Sequence, residues 1–227
     1  MERFVDLKEI SDGKRYHRND MVKVGCEDCK GCFHCCQNMG NSIVLDPYDI
    51  YRLTTSFNQT FEQLLMSGCD LNVVDGVILP NLKMNPQTNR CNYLNEEGRC
   101  SIHPYRPSIC RIFPLGRIYE NRSFSYILQV GECKKEKKTK VKLKKWIDTQ
   151  NLSENEDFII CWHYFLKDVI KQFSSCKEED VKAINMLILN VFFVTLYQGD
   201  RDFYEQFKER MTSVKEILRT QYHLVLD

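Results

Sequence analysis

Cys26-Glu27-Asp28-Cys29-Lys30-Gly31-Cys32-Phe33-His34-Cys35-Cys36 puts five cysteines into eleven residues. Three successive C-x2-C steps bring several thiolates within reach of one small centre. That suits a metal ion or a cluster and suits disulfides poorly. Adjacent side chains leave the backbone in different directions. Cys35 and Cys36 are therefore expected to face different metal atoms, in two neighbouring sites or in one polynuclear centre. The opening C-x2-C-x2-C matches the start of a bacterial ferredoxin run, but the closing C-x3-C-P is missing, which argues against a simple ferredoxin.

Outward from this run, seven more cysteines bring the total to twelve. Cys91, Cys100, Cys110 and Cys133 follow the run, in the contexts Cys91-Asn92-Tyr93-Leu94, Gly98-Arg99-Cys100-Ser101-Ile102-His103 and Arg106-Pro107-Ser108-Ile109-Cys110-Arg111-Ile112-Phe113-Pro114. Cys69, Cys161 and Cys176 have no clustered partners and read as small buried hydrophobes. The pattern resembles the CxxCxxCC cysteine-cluster family, a zinc- or iron-chelating domain, and more distantly the flagellin lysine N-methylases. The stretches that carry the resemblance are Cys29 to Cys36, Ile43-Val44-Leu45-Asp46 through Leu53, and Cys91 through Pro114. Cys133 fits less distinctively, and the resemblance runs from Cys26 to Cys133. It implies metal ligation by Cys29, Cys32, Cys35, Cys36, Cys91, Cys100, Cys110 and Cys133. Eight thiolates fill two four-ligand sites, or hold one cluster plus one ion. Cys26 extends the spacing upstream and is an alternative to one of the eight.

Length and composition narrow the setting. The chain has 227 residues, 43% apolar, with 32 basic against 31 acidic side chains. This is enough apolar material for a packed core, and a net charge of +1 gives no global attraction to nucleic acid. The N-terminal residues are charged from Glu2 onward, without a leader-like apolar run, and Met186 to Val194 is far shorter than a membrane span. The expectation is a cytoplasmic protein that uses no membrane and no nucleic acid, with an unidentified protein partner or substrate.

The fold class expected is α+β: a cysteine-rich metal-binding module over residues 1–135, with short strands, packed against a helical region over 136–227. Residues 1–24 read as a polar approach, and Gly25, Gly31 and Gly40 as turns around the centre. Ser42 to Leu45 reads as a strand. Asp46-Pro47 and Thr60 start helices, and Asp75-Gly76 joins a hairpin. Further strands are expected over 112–119 and 124–130. The eight lysines between Lys134 and Lys145 suggest a solvated helix face. Stripes led by Phe158, Val181 and Phe203 mark three C-terminal helices.

Other candidate residues have ordinary readings beside the functional ones. His34 and His103 read as neighbours of the ligands rather than ligands, and His163 as a helix residue. Arg106 and Arg111 flank Cys110 and either offset thiolate charge or lie on the surface. Asp46 reads as a helix cap rather than a catalytic acid. No dinucleotide, P-loop, nucleophile-elbow or zincin motif occurs, nor the usual radical S-adenosylmethionine spacing. Three functions stay open: a redox or modification-related iron–sulfur protein, a structural zinc module that mediates protein interaction, and an S-adenosylmethionine-dependent methylase-like enzyme. Iron–sulfur is preferred to zinc as the cofactor.

Overall fold

The structure is a computed structural model and describes residues 6–29 and 32–226; Gly31 lies outside the described residues. In chain order the elements are α1 (Leu7–Ile10), β1 (Met21–Gly25), α2 (Pro47–Phe57), α3 (Phe61–Ser67), β2 (Cys69–Val74), β3 (Val77–Leu82), α4 (Ser108–Ile112), β4 (Leu115–Glu120), β5 (Ser123–Leu128), β6 (Thr139–Lys142), α5 (Leu143–Ile147), α6 (Leu152–Gln172), α7 (Glu178–Leu189) and α8 (Phe203–Tyr222). The class is α+β, with strands paired β1–β6, β2–β3 and β4–β5. Among the described residues no helix is long and apolar enough to cross a membrane.

The chain forms two compact units interleaved in sequence, Met1–Val44 with Leu82–Leu152, and Leu45–Asn81 with Ser153–Asp227. The two units do not divide at residue 135. β6 and α5 lie beyond it, yet β6 pairs with β1 and Leu143 shares a core with Val22 and Val24. Alternation explains β1: Val22 and Val24 are buried while Met21 and Lys23 are exposed. This strand lies in what reads as a polar approach. From Thr139 on, the lysine run is accordingly a strand and a short helix, with Val141 facing Val22 and Leu143 buried. At Gly25 a Cβ would lie 2.3 Å from Thr139 Oγ1, so glycine permits the close strand approach. The β4–β5 hairpin turns on Asn121 and Arg122, both left-handed at φ 51° and 53°. The strand expected from Ile112 starts later because Ile112 closes α4. Phe113, which precedes a proline, is driven out of the helical region.

The second unit is helical apart from the β2–β3 hairpin, whose turn residues Asp75 and Gly76 have φ 52° and 93°. Asp46 accepts the Asp49 N–H at 2.9 Å and Asp49 accepts the Asp46 N–H at 3.2 Å, a reciprocal cap on α2. Thr60 and Gln63 repeat the arrangement on α3. Asn185 on α7 ties the hairpin down: its oxygen accepts the Ile78 N–H at 2.7 Å, and its amide donates to Gly76 C=O at 3.2 Å. α7 ends in a π-helical turn, Asn190–Val194, which shifts the buried face. Phe192 and Phe193 go inside, while Thr195 is exposed. Arg210 donates to the freed carbonyls of Val191, Thr195 and Leu196 and stacks over Tyr197, 3.6 Å from its ring centre.

Candidate metal centre

The first cysteine stretch is a series of tight turns. Cys29 N–H donates to Cys26 C=O at 3.2 Å, Cys32 to Cys29 at 3.0 Å, and Cys36 to Phe33 at 2.9 Å. Glu27 and Cys29 are left-handed, at φ 54° and 56°. For non-glycine residues that costs about 1–2 kcal/mol each, which surrounding contacts must offset. The stretch is stitched to the second one by Cys91 N–H to Cys36 C=O at 2.8 Å and by Asn38 N–H to Asn89 C=O at 2.7 Å. Cys91 and Cys100 stand on a folded-back segment closed by the Leu94–Cys100 bridge and by Ser101 N–H to Tyr93 C=O at 2.7 Å.

Phe33 locks these two stretches together. The Arg90 guanidinium lies over its ring at 5.3 Å, and Gly98, at φ +71°, approaches so closely that a Cβ would sit 2.8 Å from a ring carbon. Cys110 rides on α4, which is anchored by its neighbours. Arg111 donates to Asp148 C=O at 2.7 Å and to Pro104 C=O at 2.9 Å, and Trp146 Nε1 to Ile112 and Phe113 C=O at 3.3 and 3.2 Å. Arg111 is thus a buried backbone clamp. Phe33, Arg90, Gly98 and Trp146 were not singled out by sequence, since none carries ligand chemistry.

The thiols fall into two overlapping groups. Cys26, Cys29, Cys32, Cys35 and Cys133 line one cavity of about 20 Å³. Cys36 lies within electrostatic reach of Cys100 and Cys110, and Cys91 within reach of Cys100. Cys35 belongs to both groups: it interacts with Cys29, Cys91 and Cys100, and its sulfur accepts a hydrogen bond from the Cys36 thiol. The hydrogen bond between them keeps the two adjacent sulfurs close together.

Burial, with Cys26 beside it, pushes the Cys29 thiol up to about 12. The hydrogen bond it donates to Cys35, and then burial, hold the Cys36 thiol protonated. Cys91 and Cys100 are raised by burial too, partly offset where Tyr93 N–H and Ile102 N–H donate to their sulfurs. Cys35 is lowered to about 7, first by the Cys36 thiol and with help from Arg106. Arg106 also favours the thiolates of Cys29 and Cys100, and its buried Nε has no partner among the described residues. Arg106 donates from Nη1 to His103 Nε2 at 2.8 Å, so that nitrogen presents its lone pair to the arginine and not to a metal. His34 lines the cavity beside Cys32 and stacks on Phe33.

Among the described residues, no three Cys, His, Asp or Glu side chains stand in a finished metal-site arrangement. The donor chemistry nonetheless fits a thiophilic metal. Nine cysteines share this one unit, all as free thiols, and amide and guanidinium groups favour their thiolates. Cys69, Cys161 and Cys176 belong to the other unit; Cys69 is buried, and the Cys176 thiol donates to Gln172 C=O at 3.4 Å.

Residues 28–147, just over half of the chain, match the model of the CxxCxxCC family, described as "Putative zinc- or iron-chelating domain". The match starts after Cys26 and extends past Cys133 into α5. Comparison with curated proteins and with solved structures found no match.

Proposed function

The chain belongs to the CxxCxxCC family of zinc- or iron-chelating domains, and from that premise we propose that it is a metal protein whose clustered thiolates hold an iron–sulfur cluster, with or without a separate ion. The ligands are Cys29, Cys32, Cys35, Cys36, Cys91, Cys100, Cys110 and Cys133. The observation that carries this reading is the meeting of the Cys29–Cys36 turns with Cys91, Cys100 and Cys110, which come from distant parts of the sequence. Ligands drawn from several segments around an adjacent cysteine pair suit a centre with more than one metal atom. The role is redox or support of a protein modification, in the cytoplasm, where thiols stay reduced.

The test is anaerobic purification followed by metal and acid-labile sulfide analysis and an absorption spectrum. Iron with stoichiometric sulfide and a brown colour supports the reading. Zinc without sulfide in a colourless protein replaces the cluster with a structural zinc module, which the short backbone-to-sulfur turns at Cys91 and Cys100 also suit. Calorimetric titration with S-adenosylmethionine separates a methylase-like activity from both.

A further inference from the structure

Cys26 lies outside the residues that match the family and outside its motif, yet it is built into the same cavity as Cys29, Cys32, Cys35 and Cys133. Its sulfur is 3.5 Å from Cys29 Sγ, and the residue is 3% exposed. In a tetrahedral four-thiolate site with metal–sulfur bonds of about 2.3 Å, neighbouring sulfurs are about 3.8 Å apart. The Cys26–Cys29 pair already stands close to that edge length, and the turn that fixes it is closed by Cys29 N–H to Cys26 C=O. Cys32 and Cys133 line the same cavity.

We propose that Cys26, Cys29, Cys32 and Cys133 bind one thiophilic divalent ion, zinc or ferrous iron, in a centre separate from the one built around Cys36, Cys91, Cys100 and Cys110. This rests on the thiolate-metal reading above and adds a ligand and a second centre to it. Cys35, within reach of both groups, joins the two. Binding forms four metal–sulfur bonds and releases the thiol protons to solvent, with no change of oxidation state.

The experiment compares full-length wild type, Cys26→Ser, Cys29→Ser and Cys110→Ser, purified anaerobically, by metal and acid-labile sulfide content per chain. The expected result is that Cys26→Ser and Cys29→Ser each lose the same single ion and keep the rest of the metal and sulfide, whereas Cys110→Ser loses the other centre. Full wild-type metal in Cys26→Ser, with a loss in Cys29→Ser, overturns this proposal alone. A Cys26–Cys29 disulfide in the anaerobic wild type does the same. A wild-type chain without metal overturns the parent reading as well. Cys26→Asp keeps a donor at the position and covers the case in which serine prevents folding. Loaded with Co(II), it should retain the ion with weaker thiolate-to-metal absorption than wild type, and an unchanged spectrum overturns the proposal.

Discussion

Side chains around the sulfurs divide the work between ligand, counter-charge and clamp. Serine at Cys100 or Cys110 removes a thiolate from the group around Cys36, so metal content should fall markedly. Serine at Cys161 or Cys176, in the other unit, should leave it unchanged. Equal losses at both pairs would show that the groups are misassigned. Arg106 supplies positive charge to three thiols that burial and hydrogen bonding otherwise govern. Protons and metal compete for those sulfurs, so metal retention weakens as pH falls. Arg106→Gln removes a charge that favours the thiolate, and the pH at which half the metal is lost should therefore move upward. A midpoint that stays put or moves down, followed by metal analysis across a pH series, would show that Arg106 does not offset thiolate charge. These roles were only partly legible in sequence. Arg106 and Arg111 look equivalent beside Cys110, and only the backbone carbonyls of Pro104 and Asp148 separate the clamp from the counter-charge.

Elements set the spacing that the side chains exploit. The loop that carries Cys91 and Cys100 is held to the Cys32–Cys36 turns by a glycine under an aromatic ring. Gly98→Ala meets both a left-handed backbone and the Phe33 ring, at a cost of about 1–2 kcal/mol for the backbone alone. Chemical denaturation should show that loss, with lower metal occupancy beside it; unchanged occupancy would mean Phe33 does not align the two stretches. Asn185→Ala is the counterpart in the other unit. It strands the Ile78 N–H and the Gly76 C=O and should cost about 1–3 kcal/mol while metal content stays at the wild-type level. Sequence found the elements that have local signals: the Asp46 and Thr60 caps, the Asp75-Gly76 turn and the three helical stripes. It lost β1 and β6 because a four-residue alternation among lysines and valines is too short to stand out from a polar segment. It gave no sign of the π turn after α7, which adds a residue that no 3.6-residue period anticipates.

At the scale of the whole molecule, the cysteine-bearing unit has two kinds of support. The strand pairs share an apolar core of Val22, Val24, Ile112, Leu115, Tyr126 and Leu143, whereas residues 32–44 and 82–105 rely on isolated bridges and turns. Metal should therefore hold the second part more than the first. Under strong chelation in reducing buffer, amide exchange should accelerate over 32–44 and 82–105 while β1, β4, β5, β6 and the helices α6 to α8 keep their protection. Uniform protection before and after chelation would show that the metal is not structural. What the sequence determined by itself was chemistry and class: thiol number, spacing, caps and stripes are local, and they suffice for an α+β protein of the CxxCxxCC kind. Only the tertiary structure decided which thiols meet. Grouping depends on backbone bonds between residues some fifty positions apart, such as Cys36 with Cys91, and on interleaved units that cross the composition boundary at 135. Contacts at that separation are set by packing and chain closure, which leave no mark in the spacing of neighbouring residues.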